Sequence, residues 1–125
     1  MGRASNRPAA VVVAAAALAP TFRTVESPRP EEGEYTRHVR WLEPRIREYR
    51  ELLHSKSMRT VQKSMRAARL PAITAIVITR ELLGSADHGL EDARIVVFDD
   101  PAWQRLADIY RRDRSWLDGE LERLS

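Results

Sequence analysis

The stretch YTRHVRWLEPRIREYRELL, residues 35–53, decides the fold class of this chain. Its apolar members Tyr35, Val39, Leu42, Ile46, Tyr49 and Leu53 recur at spacings of 4, 3, 4, 3 and 4. An α-helix, at about 3.6 residues per turn, gathers such a series onto one face, and a strand does not. The outer face offers Glu43 to Arg47 and Arg47 to Glu51 as i,i+4 partners, each worth roughly 0.3 kcal/mol. Pro44 lies inside the series. It lacks an N–H and crowds the carbonyl four residues back, yet the stripe keeps its register across it. The spacing therefore predicts one continuous helix, kinked at Pro44.

Downstream the phase slips across His54, Ser55, Lys56 and Ser57. Met58, Val61, Met65 and Ala68 then form a second stripe, with Ser55 or Ser57 as its N-cap and an end near Leu70, before Pro71. Residues 72–83, AITAIVITRELL, hold a β-branched cluster that favours a strand by propensity. Pro71 at the front, Gly84 behind and a length of about a dozen residues favour a buried helix, which is the reading adopted. Residues 85–92 read as a polar loop. Ile95, Val96, Val97 and Phe98 suggest a short strand, or an apolar plug without regular pairing. Asp100-Pro101 marks another helix start, whose inner face carries Trp103, Leu106, Tyr110, Leu117, Leu121 and Leu124. Asp113 interrupts that stripe and Gly119 weakens its last turns, so Ser115 is expected to cap a separate final helix. The expected fold is mostly all-α: a bundle of three to five helices over residues 35–125, with one short strand near 95–98.

Residues 1–34 differ in character. Arg3 and Arg7 precede an Ala/Val run over residues 9–19, and no acid appears before Glu26. This resembles a secretory signal or a transit segment, but Pro20 follows the Ala17-Leu18-Ala19 cleavage pattern and the run is weakly hydrophobic. Eleven residues are also far short of the roughly 20 that span a bilayer as a helix. With Pro20, Pro28, Pro30 and Gly33 behind it, the segment reads as an extended arm, with export or organellar targeting as the alternative to a cytoplasmic location.

The chain has no cysteine, which excludes disulfides, thiolate catalysis and cysteine metal sites. His38, His54 and His88 are too scattered for a zinc site, and no metal or cofactor is expected. Ser85, Asp87 and His88 have the residue types of a catalytic triad but lie within four positions, where they can hardly align. Asp99 and Asp100 follow an apolar run as magnesium ligands can, yet no phosphate-binding loop accompanies them. No enzymatic constellation emerges.

Charge is more informative. Residues 1–80 carry 15 basic and 7 acidic side chains, and residues 81–125 carry 6 and 11. Residues 52–80 contain no acid at all. Lys56, Arg59, Lys63, Arg66 and Arg69 fall at spacings of 3, 4, 3 and 3, broadly one side of a helix, interleaved with Ser57, Thr60, Gln62 and Ser64. Cations that displace condensed counterions, with neighbouring polar groups that fix register, bind phosphate backbone. The competing reading is a solvated face, or one neutralised by the acidic C-terminal half. Trp103 and Trp116 lie about 140° apart on a straight helix, so one of them is expected at an interface. The sequence thus points to a non-enzymatic helical accessory protein that holds nucleic acid through residues 56–69. The alternative is a structural subunit of a larger protein assembly or homo-oligomer, without an integral membrane span.

Overall fold

The computed structural model describes residues 33–125, so the arm and targeting readings of the N-terminal segment lie outside the described residues, apart from Glu34, which opens the first helix. Six α-helices follow in order: α1 (Glu34–Ser55), α2 (Met58–Ala67), α3 (Ala72–Leu83), α4 (Leu90–Asp99), α5 (Gln104–Arg112) and α6 (Ser115–Leu124). A 3-10 turn, Pro101–Trp103, joins α4 to α5. The all-α class holds, with one more helix than the expected upper bound.

The fold is built around α3. Ala72, Thr74, Ala75, Ile76, Val77, Ile78 and Thr79 are all buried, so this helix is enclosed on every side. A helix apolar all round belongs in a core, and α3 packs against α1, α4 and α6. Burying each of its large aliphatic side chains contributes about 1.5–3 kcal/mol. That gain exceeds the few tenths of a kcal/mol per residue that β-branching costs in a helix, which is why propensity for a strand loses here.

α1 covers one side. Leu42, Ile46 and Tyr49 are buried, and Tyr35, Val39, Leu52 and Leu53 pack at the core's edge. The helix runs through Pro44, which sits on the exposed side where the carbonyl it cannot bond meets water.

The expected strand at residues 95–98 does not form. Those residues lie within α4, and no strand occurs among the described residues. Leu90, Ala93, Val97 and Phe98 are the buried set, at i, i+3, i+7 and i+8. Helical periodicity therefore buries four apolar side chains on one face and leaves Ile95 44% exposed, whereas a lone strand would find no partner for its backbone groups. Glu91 and Asp92 in the first turn complement the helix dipole.

Local signals place the remaining ends. The Asp100 carboxylate accepts the Ala102 N–H at 2.9 Å and starts the 3-10 turn. The Asp113 carboxylate accepts both the N–H (3.0 Å) and the hydroxyl (2.6 Å) of Ser115, so Ser115 opens α6 rather than capping it, and Asp113, at the end of α5, ties the two helices together. Those bonds to the carboxylate lower the Asp113 pKa. Arg80 ties α3 to the following loop. Its guanidinium donates to the carbonyls of His88 (2.7 Å) and Ser85 (3.2 Å) and stacks 4.5 Å from the Tyr35 ring centroid.

Candidate nucleic-acid interface

α2 is short and strongly two-sided. Ser57 caps it, its hydroxyl oxygen accepting the Thr60 N–H at 3.2 Å. Val61, Gln62 and Met65 face inward and are fully enclosed. On the other side, Arg59, Lys63 and Arg66 fall within an arc of about 60° at 100° per residue. Lys56 lies just before the helix and Arg69 just after it. Lys56, Arg59, Lys63 and Arg69 are exposed, and among the described residues no carboxylate forms an ion pair with any of them.

Three acids of the C-terminal half pair instead with arginines of that half. Glu91 binds Arg94, Asp108 binds Arg111, and Asp118 binds Arg114 at 3.2 Å. The Arg94 guanidinium holds the Glu91 carboxyl below its ordinary pKa. One pair joins the two halves, Glu34 with Arg123, at 3.8 Å. No ion pair among the described residues thus reaches Lys56, Arg59, Lys63 or Arg69. Arg59 is also placed against the helix dipole, at the positive N-terminal end of α2 with no acid in the first turn, whereas Lys56 is the C-cap of α1. A cation in that first turn costs about 0.3–1 kcal/mol at low salt, a cost that a bound anion relieves.

The face has limits. Glu48 and Glu51 of α1 line a groove with Ser64, which lies about 140° round α2 from Arg59. The carboxylates there confine any phosphate contact to the Arg59–Lys63 side. At the other end Arg66, Ala67 and Arg69 line an open depression. Arg66 is half-buried, its guanidinium 5.5 Å from the centroid of the Trp103 ring. The chain leaves α2 by a Schellman turn: Leu70 N–H donates to the Met65 carbonyl (3.2 Å) and Arg69 N–H to the Arg66 carbonyl (2.9 Å). Arg69 thereby adopts φ +60°, the left-handed conformation, which costs a non-glycine residue about 1–2 kcal/mol.

One expectation needs correction. Gln62 is not a surface donor: it is enclosed, its amide nitrogen donating to the Thr79 hydroxyl at 2.9 Å. Arg80, the last cation of the acid-free stretch, belongs to the loop clamp. Of the two tryptophans, Trp103 is the enclosed one, covered by Arg66, so it offers nothing to an interface. Trp116 is 37% exposed and meets Tyr110 edge-on at 6.1 Å between centroids. Among the described residues the most exposed large hydrophobic side chain is Trp41, at 76%. The sequence held that signal, since Trp41 lies one step, about 100°, off the α1 stripe.

The other candidates resolve locally. His88 pairs with Asp92 at 3.2 Å. Asp100 is a cap and Asp99 lines a groove between α4 and α5. Among the described residues no group of three or more His, Asp or Glu side chains is placed to hold a metal, and no helix is long and apolar enough to cross a membrane. Compared with known proteins, the chain matches no family model, no curated protein and no solved structure.

Proposed function

We propose that this is a non-enzymatic accessory protein that holds nucleic-acid backbone on the exposed face of α2, through Lys56, Arg59, Lys63, Arg66 and Arg69. The observation that carries the reading is that four of these cations form no ion pair among the described residues, while Glu91, Asp108 and Asp118 bind nearby arginines of the C-terminal half. Duplex is the better ligand, because α2 presents no aromatic ring for stacking on unpaired bases. The test compares Lys63→Glu with Arg105→Glu, both at exposed positions, for binding to a labelled duplex. The first weakens binding at low salt at least about tenfold and the second less than about threefold; equal effects of the two refute a specific α2 face.

A second reading, a subunit of a larger assembly, is favoured by Trp41, whose ring stands exposed on α1 beside His38 at 6.3 Å between centroids. Sedimentation of the parent and of Trp41→Ser separates the two readings. Assembly through α1 predicts a dissociated variant, and a backbone binder keeps its mass.

A further inference from the structure

We infer that Arg66 and Arg69 form a seat for one phosphodiester group at the C-terminal end of α2, with Ala67 as its floor. The inference rests on the backbone-binding reading above and assigns its most specific contact. It begins from a residue that the fold does not explain. Arg69 occupies the C′ position of the Schellman turn, where glycine is the ordinary occupant because the backbone is left-handed. No other non-glycine residue among those described has a positive φ. The Arg69 side chain is exposed and forms no ion pair within the described fold, so its own contacts do not offset the strain. An unfavourable backbone angle retained for a side chain without a structural partner points to a use outside the fold.

Arg66 complements it. Its guanidinium is oriented by the Trp103 ring, and that ring is fully enclosed, so the platform is rigid. Between the two arginines Ala67 is exposed and small, leaving the depression open to a ligand. A guanidinium presents its N–H donors as a planar fork that matches two phosphate oxygens, which an ammonium cannot do. Lys56, Arg59 and Lys63 then supply the longer-range attraction along α2, and the two arginines fix the register.

The experiment is a salt titration of duplex binding by fluorescence anisotropy, with the full chain and its Arg69→Gly and Arg69→Lys variants, each also melted by circular dichroism. Arg69→Gly is expected to melt a few degrees above the parent, since glycine relieves the strain. The same variant binds duplex about tenfold more weakly at low salt, and its log K against log salt is shallower by about 0.9. Arg69→Lys keeps the slope and loses several-fold in affinity. Arg69→Gly with parental affinity and slope overturns the seat. If Lys63→Glu still weakens binding about tenfold or more in that case, the α2 reading stands without it. A lower melting temperature for Arg69→Gly also overturns the seat, because arginine would then serve the fold. A parent chain that binds no duplex at low salt overturns both.

Discussion

Replacing Thr79 with valine leaves the volume of α3 nearly unchanged and removes one oxygen from the centre of the protein. Thr79 and Gln62 are both fully enclosed, and the Thr79 hydroxyl accepts the Gln62 amide N–H at 2.9 Å. The other contact of that nitrogen is the Met58 sulfur at 3.4 Å, a weak acceptor. The Gln62 carbonyl oxygen is buried without a partner among the described residues. Thr79→Val therefore strands a second polar atom of the same amide, and a buried unsatisfied group costs about 1–3 kcal/mol. At about 4–8 °C per kcal/mol for a domain of this size, the midpoint falls by roughly 4–24 °C. Gln62→Met alone should cost less than about 1 kcal/mol. It fills the same space, and the Thr79 hydroxyl can turn to a carbonyl of its own helix. The double variant Gln62→Met with Thr79→Val removes donor, acceptor and stranded oxygen together, and is expected within about 1 kcal/mol of the parent. Urea unfolding of all four chains gives the coupling energy directly. Effects that add to within about 0.5 kcal/mol refute the reasoning, because the two residues would not be acting as a pair.

Other outcomes follow from the same structure. Arg80→Ala frees the α3–α4 loop and uncovers the Tyr35 ring, and should destabilise by about 1.5–3 kcal/mol in thermal melts, as loss of charge-assisted bonds does. Ile76→Ala opens a cavity beside the core of α3 and should cost about 2–5 kcal/mol. The Tyr35 phenol, which donates to the Glu81 carboxylate at 2.6 Å, is pushed above its ordinary value of 10.0 mainly by burial and then by that carboxylate. The unfolded chain then gives up its proton first, so the contribution of Tyr35 is complete below about pH 10 and is lost as the pH rises further. Urea midpoints at pH 9 and pH 11 should differ less in Tyr35→Phe than in the parent. Iodide should quench Trp41 strongly, Trp116 in part and Trp103 hardly at all, which single-tryptophan variants can resolve.

Much of the architecture is legible in the residues, and the exceptions share a cause. The α1 stripe, the Ser57 cap, the enclosed α3 and the break at Asp113 all follow from spacing and end chemistry within one element. Residues 95–98 were not legible as helix, because local propensity favours strand and only the packing of Leu90, Ala93, Val97 and Phe98 reverses it. Trp103 lies inward, as its place in the stripe implies, but a 3-10 turn rather than the first turn of a straight helix carries it. For the candidate interface, the acid-free run identified the cations, but the wheel cannot say which neighbour covers which side. Gln62 and Arg66 accordingly turn toward α3 and Trp103 while Arg59 and Lys63 stay in solvent. The left-handed backbone at Arg69 leaves no mark in composition or spacing, since nothing but glycine would have announced it.

The central claim, that α2 binds phosphate backbone, is tested most directly by the slope of log K against log salt for a DNA duplex. Four to five contacts at about 0.9 each predict a slope of roughly −3.5 to −4.5, falling toward zero when Lys56, Arg59, Lys63 and Arg69 are all replaced by glutamine. A parental slope near zero, or one that survives the fourfold replacement, contradicts the account.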